Sequence, residues 1–195
     1  MEKLKTSPAE QLKQVEIQTI EQEQLDRVFS ELCKKDTNKE EKYKDMIGSM
    51  DIARTLQKLG LRPSKAEVDL IIWEVDDDLD GYVSKQEFQT MYKRCISDEA
   101  NLEPRKLYNL VQFMMYDKSG KGTVTVEETL QILFVRHGRN KLDQEIKHIF
   151  GDQEKNPDGS EREITYAEYN HKIFARALKH VKYLEDKRAN RLSKK

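Results

Sequence analysis

Asp76-Asp77-Asp78-Leu79-Asp80-Gly81-Tyr82-Val83-Ser84-Lys85-Gln86-Glu87 puts carboxylates at its first, third and fifth positions, glycine at the sixth, a hydroxyl at the ninth and glutamate at the twelfth. Its eighth residue, Val83, is followed four places on by the acid Glu87. The same pairing recurs as Ile47…Asp51, Val124…Glu128 and Ile164…Glu168, with the β-branched residues 36, 41 and 40 positions apart. A period of this size marks a repeated supersecondary unit. The flanks say which kind. Leu25, Val28, Phe29 and Leu32 before the first segment fall at i, i+3, i+4 and i+7, one face of a helix, and Val68, Ile71, Ile72 and Val75 repeat that spacing before the second. Leu107, Leu110, Val111 and Met114 precede the third segment; Leu142, Ile146 and Ile149 precede the fourth. Apolar stripes also follow each segment: Ile52/Leu56/Leu59, Phe88/Met91/Tyr92/Cys95, Leu130/Leu133/Phe134 and Tyr169/Ile173/Phe174/Ala177/Val181/Leu184. The pattern predicts eight helices in four helix-loop-helix pairs, with the apolar stripes as their core. Ser64…Glu67 forms a capping box at the head of one of them, and Gly60 and Gly138 stand where C-terminal caps belong.

The loop at 76–87 resembles the EF-hand calcium loop of the calmodulin and troponin-C superfamily, matching it at every ligand position. The resemblance implies a site for Ca²⁺, a hard cation that takes about seven oxygens at ~2.3–2.6 Å. Asp76, Asp78 and Asp80 each supply a carboxylate oxygen, and Gly81 makes the sharp turn that aims the Tyr82 backbone carbonyl inward. Ser84 contributes directly or through water, and Glu87 closes the shell with two oxygens. By the same resemblance the fold is all-α, with two lobes of two units each and short two-stranded contacts between loops, Ile47 facing Val83 and Val124 facing Ile164. The expected organisation is an N-terminal helical extension (1–19), a first lobe (20–96), a linker (97–102), a second lobe (103–185) and a basic tail (186–195).

The other three units depart from the pattern. The third, Asp117 to Glu128, keeps its length, Gly122 and both end acids, but Ser119 and Lys121 stand at positions three and five. A weak metal site there would use Asp117, Ser119, Thr123 and Glu128, against the repulsion of the Lys121 ammonium. The first unit offers only Asp36 and Asp51 across a Lys-rich stretch and reads as a lost site. The fourth, from Asp152 to Glu168, contains Pro157, and only an irregular set of Asp152, Asn156, Asp158 and Glu168 is available.

Eight glycines and four prolines among 195 residues argue against a turn-rich sandwich or barrel. The net charge of −1 hides an asymmetry: from His171 to Lys195 nine basic residues face two acids, leaving the rest of the chain acidic. No apolar run approaches the ~20 residues of a membrane span, and the N-terminus has no signal-peptide core. Cys33 and Cys95, each near a helix end, read as buried and inert in a reducing cytosol. The four histidines lack zinc-ligand spacing, and neither a phosphate-binding glycine loop nor a nucleophile motif is present. The sequence gives no support for an enzyme or a nucleic-acid partner. Pro104 predicts a helix break near 97–102, and Ser7-Pro8-Ala9-Glu10 a helix start well ahead of the first unit, with a restart at Thr19 as the alternative.

The functional expectation is a non-enzymatic calcium-binding adaptor that binds one Ca²⁺ at 76–87 and docks on a larger protein assembly. The alternative is a structural, light-chain-like subunit whose Ca²⁺ site is not regulatory. The expected partner is an amphipathic helix, received in a groove of Met50, Leu56, Phe88 and Met91, or an acidic cytoskeletal surface met by the basic final helix. General resemblance to calmodulin-like axonemal subunits extends the expected cytoplasmic location to the cytoskeleton or a cilium.

Overall fold

A computed structural model describes residues 8–34, 36–98, 102–151 and 155–192. Among them are eight α-helices: α1 (Pro8–Cys33), α2 (Ser49–Lys58), α3 (Lys65–Trp73), α4 (Lys85–Ser97), α5 (Lys106–Tyr116), α6 (Val126–His137), α7 (Arg139–Phe150) and α8 (Tyr166–Leu192). A short 3₁₀ helix (Glu41–Tyr43) and four two-residue strands complete the elements: β1 (Ile47–Gly48), β2 (Tyr82–Val83), β3 (Thr123–Val124) and β4 (Ile164–Thr165). Consecutive helices form the four expected helix-loop-helix units. α1 runs through Thr19 without a restart. The expected cap at Ser7 and the candidate Asp152 lie outside the described residues.

The strands join the loops in pairs. β1 and β2 are antiparallel with Ile47 opposite Val83, and β3 and β4 place Val124 opposite Ile164. All four of these side chains are fully buried, so each bridge is also a core contact. Gly48 lies opposite Tyr82, whose ring would come within 2.9 Å of a Cβ at that position. The Tyr82 ring then stacks on Tyr43, centroids 3.9 Å apart.

Helix starts follow local chemistry. Ser64 accepts a hydrogen bond from the Glu67 N–H while the Glu67 carboxylate accepts from the Ser64 N–H, and Thr125 with Glu128 repeats the arrangement. Gly138, with φ of +68°, separates α6 from α7 by a backbone turn that a Cβ disfavours.

The two pairs of units do not stand apart: their buried apolar side chains form one continuous core. At its centre is α5, whose ten residues from Leu107 to Tyr116 are all buried. The sequence pattern assigns only one face of this helix to the core. The rest is covered because α1, α3, α4, α6 and α8 all pack against it, and only the tertiary arrangement creates that second covering. The polar residues of α5 are partnered accordingly: Asn109 donates to Asn170 at 3.2 Å, and Tyr116 donates to the Gln112 carbonyl at 3.4 Å.

α4 ends at Ser97, and the chain folds back before α5. Asp98 accepts from the Glu103 N–H at 2.9 Å and from Arg105 at 3.1 Å, while Arg105 also reaches the Cys95 carbonyl at 3.0 Å. Across the halves, Arg136 of α6 binds Glu21 of α1 through Nε and Nη2 at 2.9 and 2.7 Å. Its Nη2 also donates to the Tyr92 hydroxyl of α4 at 2.7 Å, and its Nη1 to the side-chain Oε1 of Gln112. Of this node between the halves the sequence pattern singles out only Tyr92, as a member of an apolar stripe.

Three stripe residues assigned to the core, Phe134, Phe174 and Val181, are instead exposed. The buried part of α8 is its start, Tyr166 and Tyr169; beyond Ile173 the helix still pairs with α7 through Arg176 and Glu145, but its apolar residues Phe174, Leu178 and Val181 meet solvent.

Candidate metal centre

The 76–87 loop hangs between α3 and α4, and its first carboxylate organises it. Asp76, buried where α3 ends, accepts from the backbone N–H of Asp80 at 3.2 Å and of Gly81 at 2.8 Å. These bonds curl the chain around the carboxylate. The curl requires Gly81 at φ +86° and also forces Leu79 to φ +61°, a left-handed conformation that costs an L-residue roughly 1–2 kcal/mol. Asp78 and Asp80 accept in turn from the N–H groups of Asp80 and Tyr82, at 3.2 and 2.9 Å.

Asp76, Asp78 and Asp80 each bring one oxygen to within 4.8 Å of the others, the one such acidic group among the described residues. Glu87 sits at the third position of α4, fixed by Ser84 at the cap. Its Oε2 accepts from the Ser84 N–H and hydroxyl at 2.8 Å each, and its Oε1 accepts from the Asp77 N–H at 2.9 Å. The closing glutamate thus already reaches across to the start of the loop. Burial opposes its charge, but the N–H groups of Ser84, Asp77 and Asp78 and the Ser84 hydroxyl hold its carboxyl below the ordinary value. At Asp78 the Asp80 N–H bond favours the charged form, yet desolvation and the charges of Asp80 and Glu87 win and push its carboxyl up. Mutually repelling carboxylates on a preformed curl are what a hard, multiply charged cation relieves. The donor set, all oxygen and mostly anionic, fits Ca²⁺.

The third loop has the same frame. Asp117 accepts from the N–H groups of Lys121 and Gly122 at 3.0 and 2.7 Å. The surroundings differ: the Lys121 ammonium lies 3.4 Å from Glu128 and 3.1 Å from Glu163, while Ser119 donates to Asp117 at 3.3 Å. The Thr123 hydroxyl donates to Glu163 at 2.6 Å. A cation of the chain's own stands where weak metal binding was expected. In the fourth unit Asp158 accepts from the Ser160 N–H at 3.0 Å and Glu168 from the Thr165 N–H at 2.9 Å, both local bonds.

In the first unit Asp51 is wholly buried and pairs with Lys39, whose side chain is 1% exposed. Sequence reasoning missed Lys39; the Lys-rich stretch conceals which of its lysines turns inward. Of the groove residues expected to receive a target, Leu56, Phe88 and Met91 are buried and Met50 is exposed, so no open groove is formed in this conformation.

Paired helix-loop-helix units, loops bridged at their eighth residues and an acidic twelve-residue loop define an EF-hand protein. Residues 43–95, which include the bridged first pair of loops, match the family of EF-hand domain pairs. This segment is therefore an EF-hand domain pair of the calmodulin-like kind, whose cofactor is Ca²⁺. The chain is similar to the probable calcium-binding protein CML27 of Arabidopsis thaliana, 26% identical over 138 residues that make up 71% of this chain and 72% of that protein. It is also similar to the mitochondrial electrogenic aspartate/glutamate antiporters of Mus musculus and Homo sapiens, 31% and 30% identical over 126 residues. That alignment takes in 62% of this chain but only 17% of each antiporter's length. No helix among the described residues is long and apolar enough to cross a membrane.

Proposed function

We propose that the chain is a non-enzymatic calcium-binding adaptor that holds one Ca²⁺ at residues 76–87 and docks on a larger protein assembly. The observation that carries the metal reading is the convergence of Asp76, Asp78 and Asp80 within 4.8 Å on a loop already curled by its own hydrogen bonds. Asp76, Asp78 and Asp80 give one carboxylate oxygen each, Tyr82 its backbone carbonyl, Ser84 its hydroxyl or a bridging water, and Glu87 both oxygens. Glu87, kept on α4 by the Ser84 cap and accepting from the Asp77 N–H, would turn its two oxygens to the ion. Ca²⁺ supplies the positive charge that the loop lacks.

Docking is supported by α8. Phe174, Leu178 and Val181 repeat at four- and three-residue intervals on one side of this helix and are exposed, with Lys179, Lys182 and Lys187 also in solvent. An apolar stripe flanked by lysines suits an acidic protein surface, of which a cytoskeletal one is the expected kind.

The test is Ca²⁺ titration of the wild type and Glu87→Gln by calorimetry, Trp73 emission and apolar-dye binding. Trp73 is 66% exposed and lies three residues before Asp76, close enough to report on the loop. One site in the micromolar range is expected, weakened at least about tenfold in the variant. Absence of binding by calorimetry refutes the site. Binding without new dye-accessible surface favours the structural subunit instead, a reading that the burial of Phe88 and Met91 also supports. In native extract, elution near the chain's own 23.0 kDa refutes permanent docking.

A further inference from the structure

Of its metal carboxylates the first unit keeps only Asp36 and Asp51, yet it has a cation in place. Ile47 pairs with Val83, the eighth residue of the second loop, so Met46 is the counterpart of Tyr82 and Asp51 the counterpart of Glu87. The correspondence extends to hydrogen bonding: Asp51 Oδ2 accepts from the Gly48 N–H at 2.7 Å, as Glu87 Oε2 accepts from the Ser84 N–H at 2.8 Å. Lys39 sends its ammonium to these same two places. It donates to the Met46 carbonyl, pairs with Asp51 Oδ2, and donates at 3.1 Å to the carbonyl of Cys33, the last residue of α1. An ammonium has three N–H donors, and here three oxygens receive them, from the end of the entering helix, the loop and the start of the exiting helix. The Lys39 and Asp51 side chains are 1% and 0% exposed.

We infer that the Lys39 ammonium is a tethered cation that permanently occupies the metal position of the first unit. A divalent ion needs six to eight oxygens, whereas a monovalent ammonium is satisfied by three and neutralised by Asp51 alone. The ion therefore costs no carboxylates at positions one, three and five, which explains how the unit dispenses with them and keeps its shape. Because the cation is covalently part of the chain, α1 and α2 stay in the filled arrangement at any Ca²⁺ concentration, and β1 offers Ile47 to Val83 in a fixed register. The second loop then meets a rigid partner, and its Ca²⁺ affinity is set against that partner without a cooperative second ion. Lys121 beside Glu128 is a looser version in the third unit, with its side chain 34% exposed.

The decisive measurement needs no calcium. In a spectrum of the ¹⁵N-lysine-labelled full chain at neutral pH, one ammonium signal is expected to persist, with proton exchange at least about tenfold slower than that of exposed lysines. That signal should disappear in Lys39→Met and stay in place when Ca²⁺ is added to the wild type. A spectrum with no protected ammonium overturns the inference, as does a protected signal that Ca²⁺ abolishes, since a displaceable ammonium is not a permanent ion. A second arm uses Lys39→Ala: its lowered melting temperature should be partly restored by millimolar butylammonium but not by butanol. Equal effects of the two additives would show that the lysine stem, not its charge, matters, and would overturn the proposal. Failure here leaves Ca²⁺ binding at 76–87 intact, because that site is read by calorimetry on its own residues.

Discussion

Replacing Arg136 by methionine tests whether the two halves of this chain are one body. Arg136 lies on α6 of the second half, and its side chain is 13% exposed. It makes two hydrogen bonds to Glu21, at 2.9 and 2.7 Å, and one to the Tyr92 hydroxyl at 2.7 Å, besides the bond to Gln112. Removing one partner of a buried ion pair costs roughly 3–5 kcal/mol, because the remaining charge stays desolvated. Glu21, 18% exposed, recovers some water and the methionine keeps the apolar stem packed, which places the expected loss at about 3 kcal/mol. For a chain of this length the melting temperature should fall by roughly 6–12 °C. Thermal and urea unfolding followed by circular dichroism give the measurement. The wild type should unfold in one transition, since α5 belongs to a core shared by both halves. Tyr92→Phe should couple to Arg136→Met by about 1 kcal/mol or more in a double-mutant cycle, because Tyr92 and Arg136 touch across the halves. A loss below about 1 kcal/mol, or two separate transitions in the wild type, would refute this account of the clamp.

Two further outcomes follow from buried groups. Burial pushes both thiols, Cys33 and Cys95, up to about 11, so neither should react with a thiol reagent at neutral pH until urea unfolds the chain; labelling of the native protein at the unfolded rate would contradict it. Glu145 accepts from Arg176 at 2.6 and 3.0 Å. Burial opposes its charge, but the arginine wins and holds the carboxyl below its ordinary 4.5. Its folded value is depressed, so its contribution is present above about pH 4.5 and lost as the pH falls further. Glu145→Gln should cost about 1 kcal/mol at neutral pH and flatten the acid limb of the stability profile, measured by urea unfolding at several pH values.

The metal loop and the four-unit architecture were legible because both depend on local spacing. Ligands at fixed offsets within twelve residues, stripes at helical periods and an acid four places after each bridged Ile or Val need no knowledge of the rest of the chain; the strand registers Ile47–Val83 and Val124–Ile164, which the EF-hand resemblance implies, are the ones observed. What local spacing does not reveal is which apolar sides are covered. The helical period carries the apolar stripe of α8 to Leu184, but periodicity shows only that a helix has an apolar side, not whether anything covers it; Phe174 and Val181 are exposed. In the opposite direction, α5 has a one-sided stripe and is buried on every side.

Local sequence carries the helix-loop-helix repeat and, through its resemblance to EF-hands, the all-α fold and the acidic loop at 76–87, because carboxylates, glycine and helix periods are encoded within one turn or loop. The tertiary structure alone decided which lysine turns inward to meet Asp51, which arginine ties α6 to α1 and α4, and that the two halves share one core. Those choices rest on desolvation and on partners 12 to 115 residues apart, and a buried charge becomes recognisable only when the oxygens that surround it are in place.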